Sequence, residues 1–592
     1  ICVLFNEEYN IVLCKAMEIP RFSDGVRDSE TGKTNCIFKE YLEKNMNLLS
    51  TFVKNWHEYK DYDDMRANFA LNIPEDFNFA YDVVDAIADT EPDRKALVWC
   101  NTEGEEHIFT FADLKRESNR IANVFKNAGL RRGMKVMLVL KRHYEYWFTI
   151  LALHKLGITA IPATHMLLVS DYVYRISMAR LDAIICTPNN DTPGKVRSAV
   201  QQVGSNCIMW CIKEDVRDFR NLSKEAAAAS EEFERIPTKA TDNMLMYFTS
   251  GTTGYPKGVF HDFTYPLAHI ITAKYWQRVT DGGLHLTVSE TGWGKASWGK
   301  IYGQWLCGAA VMVYDFDNFD PRQMCNVINK YGVDTFCAPA TVYRYIVRKG
   351  LPALPGLKHA ATAGEMLAPE VFKKFYENTG LKLNEGYGQT ETVLLLANFK
   401  GMESKEGALG KPSPFYNVQL RSKDGEPVPR GEIGEIVVVP KEGARQEGVF
   451  SGYLYDDPQY EYVWRGGVYH TGDSAYMDED GYYWFYGRFD DIIKTGGFRV
   501  GPYEVENVLM EHPAVVECSV VGVEDKLRGQ AIKAFIVLAP GYQSSKALEF
   551  DIKDSCNNKL AEYKWIRQIE FVDELPKTIS GKIRKVELRN EK

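Results

Sequence analysis

No two cysteines stand at Cys-x-x-Cys spacing, although the chain holds twelve of them. The nearest approach is Cys207 and Cys211, which read as apolar strand residues, and no second pair follows that would complete a tetrahedral zinc site. Scattered thiols of this kind imply a reducing, cytoplasmic setting and exclude a disulfide framework. A run of about eighteen uncharged apolar residues is missing too, which excludes a helical membrane span. Positive charge is not in excess: the net charge is −9, which argues against nucleic acid or an anionic membrane as the main partner. The chain begins at Ile1 and not Met, so the start is expected to be processed or not included. Residues 1–36 lack the charged, apolar and small-residue order of a signal peptide. Internal repeats and low-complexity tails are absent, which excludes a solenoid.

What is present is length and alternation. At 592 residues the chain exceeds what one core organises, so two or more domains are expected. Residues 38–60 carry a helical pattern, and another begins at Asp82–Ala88. From Phe111 the rhythm is clear: a helix through Leu114–Ala128, a strand at Lys135–Leu140, a helix at Tyr144–Leu156, and strands at Ile158–Pro162, Ala183–Cys186 and Cys207–Cys211. That βαβ order predicts parallel sheets covered by helices on both faces, with ligands beyond the carboxyl ends of the strands. Ser223–Glu234 reads as a surface helix. The last hundred residues read as a small domain: a helix at Val505–Glu511, strands at Glu517–Gly522 and Lys533–Leu538, a helix at Ala547–Leu560 and a strand at Gln568–Val572.

One stretch organises the rest. The apolar run Met244–Phe248 predicts a strand that empties into Thr249-Ser250-Gly251-Thr252-Thr253-Gly254-Tyr255-Pro256-Lys257-Gly258. Glycines let backbone N–H groups approach an anion, the hydroxyls donate further bonds, and Lys257 supplies a point charge, so this is a phosphate grip. A Walker A loop needs Ser or Thr after its lysine and a helix starting there. Here Pro256 precedes the lysine and Gly258 follows it, so the P-loop reading fails.

This stretch closely resembles the nucleotide-phosphate loop of the adenylate-forming superfamily, which includes acyl-CoA synthetases, luciferases and peptide-synthetase adenylation domains. Four more motifs follow in family order: Ala361-Thr362-Ala363-Gly364-Glu365-Met366, Asn384-Glu385-Gly386-Tyr387-Gly388-Gln389-Thr390-Glu391-Thr392, Tyr469-His470-Thr471-Gly472-Asp473, and Tyr486 to Val500 with Arg488 and Asp490. The chain closes on Leu575-Pro576-Lys577-Thr578-Ile579-Ser580-Gly581-Lys582. The resemblance covers about residues 85–592 and is strongest to acetyl- and medium-chain acyl-CoA synthetases.

The resemblance implies an α/β fold, with a large N-terminal domain of several subdomains over 1–489, its parallel-rich sheets packed with helices. A small α+β C-terminal domain over 490–592 is hinged to it at Asp490. It implies that Gly364, Glu365, Met366, Glu385, Gly386, Tyr387, Gly388 and Gln389 bind the nucleotide, with Tyr387 stacked on adenine. Asp473 would hold the ribose, Arg488 and Arg499 the phosphate side, Thr390 the α-phosphate and Glu391 the metal. Lys582 would bridge carboxylate and α-phosphate, and Gly496 with Gly497 would line the pantetheine tunnel.

The tryptophan-rich segment Trp276–Trp305 is expected to wall the acyl pocket through Trp276, Trp293 and Trp298, with Lys295 either meeting a carboxylate or reaching solvent. Cys337 ends the strand beside it. Gly388 stands where acetate-using relatives place a tryptophan, so an open pocket is expected, unless Trp276 or Trp298 refills the space. The implied activity is an AMP-forming acyl-CoA synthetase for short, branched or medium-chain fatty acids, with ATP, Mg²⁺ and coenzyme A; a homodimer is admitted. The rivals are an aromatic-acid CoA ligase, a free-standing amino-acid adenylating enzyme with Glu290 as its one acidic pocket candidate, and a nucleotide-binding regulatory protein.

Overall fold

The computed structural model describes residues 48–249, 256–350, 352–365, 367–440, 446–455, 459–489, 491–578 and 583–590. Two large sheets dominate these residues. One has eight strands: Asn243–Thr249, Thr159–Pro162, Lys135–Val139, Ala183–Cys186, Ile208–Cys211 and Arg220–Asn221 run parallel, and Lys257–Asp262 and Gly452–Tyr453 close one edge antiparallel. The other has nine, its parallel centre running Leu383–Gly388, His359–Ala363, Thr335–Cys337, Leu284–Thr287, Ala310–Asp315 and Lys95–Asn101. Strands such as Ala183-Ile184-Ile185-Cys186 are apolar at every position because helices cover both faces.

Local chemistry sets the helices. Phe111–Asn127 starts at a capping box, Thr110 accepting from the Asp113 N–H while Asp113 accepts from the Thr110 N–H. Glu145–Lys155 is buried on every side, as a helix between two sheets must be. Two expected helices are shorter than their patterns. Within the described part of 38–60 the helix is Leu48–Phe52, and Asn55 at φ 50° has left it. Ser223–Glu234 yields Leu222–Ala227 alone, because Asn119 and Asn123 donate to the carbonyls of Glu231, Ser230 and Glu232 and hold that stretch extended.

A four-stranded antiparallel sheet of Val418–Arg421, Gly434–Val438, Tyr469–Met477 and Tyr483–Arg488 leads to the carboxy-terminal part. There, Ile493–Thr495, Phe498–Val500, Val515–Asp525, Gly529–Leu538 and Gln568–Phe571 form a five-stranded sheet. Helices Pro502–Met510 and Lys546–Asn557 pack on it, and the core they share draws only on residues from Ile493 onward. Relatives are expected to carry proline after Lys564; Trp565 stands there at φ −62°, the angle a proline would hold.

Candidate active site

Lys257 is the first residue of its strand and pairs across the antiparallel ladder with Thr249, so the two strands flanking the hydroxyl-rich stretch meet at its lysine. No helix begins at Lys257, so the phosphate grip expected here would draw on loop donors and side-chain charge. Ser250, Gly251, Thr252, Thr253 and Gly254 lie outside the described residues, as do Met366, Asp490 and Lys582. The ends of the Lys582 loop are held by a Lys577–Ile583 bridge and by the Arg584 N–H on the Pro576 carbonyl at 2.8 Å.

Thr390 and Glu391 sit on a turn between strands Leu383–Gly388 and Leu394–Ala397. His261 Nε2 donates to the Thr390 carbonyl at 2.7 Å, which fixes the tautomer. The Phe450 N–H reaches the Glu391 carbonyl at 2.7 Å, and the Tyr453 hydroxyl donates to Glu391 Oε1 at 3.0 Å. Lys257 Nζ stands 5.7 Å from the Tyr453 ring centroid, so the two charges expected at the phosphates share one tyrosine.

Asp473 is a second focus. Its Oδ2 accepts from the Tyr387 hydroxyl at 2.6 Å and from Gln389 Nε2 at 2.7 Å, and Arg488 pairs with Oδ1 at 3.7 Å from the neighbouring strand. Gln389 differs from the expectation: it is engaged within the protein, donating also to the Thr471 carbonyl at 2.8 Å and accepting from the Tyr469 hydroxyl at 2.8 Å. Burial, and after it the Asp473 carboxylate, pushes the Tyr387 phenol far above its ordinary range. Glu365 is engaged too, its carboxylate accepting from the Thr341 N–H and hydroxyl at 2.9 and 2.7 Å. Arg499 stands apart on an exposed strand, and Gly496 and Gly497 form an exposed tip where an added Cβ meets nothing within 4 Å.

The expected acyl wall lies along the nine-stranded sheet, with Lys295 and Cys337 at the carboxyl ends of its strands and Trp276 nearer their amino ends. Trp276 is fully buried, donates from Nε1 to the Asn384 carbonyl at 3.1 Å, and lies 5.8 Å from Trp298 between ring centroids. Lys295 Nζ donates to the Ala363 carbonyl at 2.6 Å and stands 5.9 Å from the Trp298 ring; Gly364, at φ 89°, lies against it. Cys337 is buried alongside, its thiol pushed up by burial and held back by Lys295. Trp293 is half-buried just before helix Gly294–Lys300.

Gly388 does not open this wall. It is exposed, and a Cβ there would meet the Val393 carbonyl at 2.7 Å, whereas a Cβ on Gly386 would strike Trp276 at 2.7 Å. The glycine that makes room is Gly386, and Trp276 takes that room. Glu290 is buried near the charges of Arg142 and Lys300, with His165 Nδ1 3.7 Å from it. Burial, ahead of the Arg142 charge, pulls the Lys300 ammonium down to about 7.

The geometry agrees with what comparison finds. A family model described as AMP-binding enzyme matches residues 84–454, and one described as AMP-binding enzyme C-terminal domain matches 504–582. Acyl-coenzyme A synthetase ACSM3, mitochondrial, of Homo sapiens is 38% identical over 549 residues, covering 90% of this chain and 92% of the relative. The chain belongs to the AMP-binding enzymes, among the acyl-coenzyme A synthetases.

Acyl-coenzyme A synthetase ACSM5, mitochondrial, of Rattus norvegicus is 37% identical to the synthetase, covering 88% of this chain and 91% of the relative. Among solved structures, the anthranilate CoA ligase AuaEII in complex with anthranoyl-AMP superposes with a TM-score of 0.79 at 28% identity, covering 87% of this chain and 97% of that one. No helix of the described residues is long and apolar enough to cross a membrane.

Two side chains of the synthetase that hold the site carry no clear mark in the sequence, His261 and Tyr453, while Tyr469 stands in a recognised motif but without a role. The one signal available was the Gly452-Tyr453 pair after Val449-Phe450, an alternation too short to mark a strand. Glu385 carries a measurable consequence. Burial raises its carboxyl to about 8, with the Leu367 N–H on Oε2 opposing at 3.4 Å. A carboxyl whose folded value lies above its unfolded value favours the fold at low pH, and this contribution is lost as pH rises toward 8. Glu385→Gln should therefore raise the thermal midpoint at pH 8.5, with the gain shrinking toward pH 5; differential scanning fluorimetry across pH checks it.

Proposed function

We propose that the synthetase couples a short, branched or medium-chain carboxylic acid to coenzyme A through an acyl-adenylate, consuming ATP and releasing AMP and pyrophosphate. The observation that carries this reading is a pair of neighbouring clusters: Tyr453 holds Glu391 and faces Lys257, and Tyr387 and Gln389, the latter just before Thr390 and Glu391 in the chain, hold Asp473, which also pairs with Arg488. The ligase is of the acid–thiol type.

In the first step the acid's carboxylate oxygen attacks the α-phosphorus and the bond to the β-phosphate breaks. Lys257 and the loop hydroxyls hold the departing pyrophosphate, Asp473 orients the ribose, and Lys582 meets the charge that grows between carboxylate and α-phosphate. Glu391 offers a hard oxygen ligand, and no group of three or more His, Cys, Asp or Glu gathers elsewhere among the described residues. That fits Mg²⁺, which is held by one or two carboxylates together with substrate phosphates and water. When bound, the cation would neutralise phosphate charge. In the second step the carboxy-terminal part turns about Asp490 and withdraws Lys582, the exposed Gly496-Gly497 tip comes to line a thiol path, and the coenzyme A sulfur displaces AMP from the acyl carbon. A reduced, intracellular compartment suits the free thiols.

A panel of linear C2 to C12, branched and aromatic acids, read by AMP release, tests the assignment; silence with every acid would overturn it. Aromatic acids belong on the panel because a 28% identical structural relative is an anthranilate ligase. Trp276→Ala should move the preference toward longer acids, each added methylene gaining about fourfold in kcat/KM from roughly 0.8 kcal/mol of burial. An unchanged chain-length profile would place the acid elsewhere.

A further inference from the structure

The turn that carries Glu391 has no strand of its own: the ladder between Leu383–Gly388 and Leu394–Ala397 stops at Gly388 and Leu394. A metal-facing carboxylate on such a turn would wander unless something outside it fixed its place. The short strand Gly452–Tyr453 and its flanks lie across this turn as a strap. Phe450 ties to the Glu391 backbone, while the Ser451 N–H on the Phe260 carbonyl at 2.8 Å and the Leu454 N–H on the Gly258 carbonyl at 2.7 Å tie the strap to the strand that begins at Lys257. Gly258 permits this closeness, since a Cβ there would meet Leu454 Cβ at 2.8 Å. Tyr453 is 8% exposed, packed with its ring centroid 4.8 Å from that of Phe450. Its hydroxyl selects one oxygen of the Glu391 carboxylate, and its ring faces the Lys257 ammonium.

We propose that Tyr453 is a positioning residue that holds the Glu391 carboxylate and the Lys257 ammonium in one frame, so that nucleotide is gripped as its magnesium complex. The inference rests on the reading of ATP as substrate. Tyr453 touches neither nucleotide nor metal in this account; it acts through the rotation of the Glu391 carboxylate. Losing a hydrogen bond to a charged group typically costs enough to weaken binding about tenfold or more.

The test is Tyr453→Phe, which keeps ring, packing and the face toward Lys257 and deletes the hydroxyl alone. Calorimetric titration of the full chain with ATP, once with magnesium and once in EDTA, should show the magnesium complex binding about tenfold more weakly while metal-free ATP changes by less than about twofold. A merely structural role would move both affinities together and lower the thermal midpoint. Equal weakening of both, or no change in either, overturns the proposal. Wild-type protein that binds no ATP in either titration overturns the nucleotide reading and the proposal with it, whereas wild-type binding of MgATP with an unaltered variant sinks the proposal alone.

Discussion

Lys582→Ala should abolish acyl-adenylate formation, measured as acid-dependent pyrophosphate exchange, by about 10²- to 10³-fold, the usual loss when one preorganised donor to a developing charge is removed. Thioester synthesis from supplied acyl-adenylate should survive nearly intact. The asymmetry follows from place: Lys582 rides a loop whose ends are closed by the Lys577–Ile583 bridge, on a part of the chain with its own core. On the proposed mechanism a charge carried there would serve one half-reaction and be removed for the other. Equal loss in both half-reactions would mean that the loop stays put and that the two-conformation mechanism is wrong.

Glu391→Gln should cost about 10²-fold in the same exchange assay without unfolding the protein. Glutamine keeps an oxygen that accepts from the Tyr453 hydroxyl, and the backbone tie from Phe450 does not depend on the side chain. What it loses is the negative charge a hard cation needs. The thermal midpoint should stay within a few degrees, which separates lost chemistry from lost fold. A variant retaining more than a fifth of wild-type exchange would assign the cation to other ligands.

The βαβ order and the family motifs were legible in the sequence, because each is written in consecutive residues. It told partners badly. Tyr453 meets Glu391 across 62 positions and His261 meets Thr390 across 129, and nothing local marks such pairs. Gln389 sits inside a motif that looks nucleotide-facing, yet its amide is consumed by Thr471, Asp473 and Tyr469. That Gly386 and not Gly388 faces Trp276 follows a register shift between Tyr387 and Gly388, which redirects the Cβ that strict alternation would have aimed at the pocket. Glu290 has one neighbouring charge close in sequence, Lys300 ten residues on, and one far from it, Arg142, which nothing local marks.

The core that begins at Ile493 shares no residue with the tryptophan wall, which lies wholly before Gly388. On the function proposed above, recognition of the acid and delivery of the thiol would then fall to separable lengths of chain. A lineage would acquire a new acid by reshaping the surroundings of Trp276 while the part from Ile493 onward stays as it was.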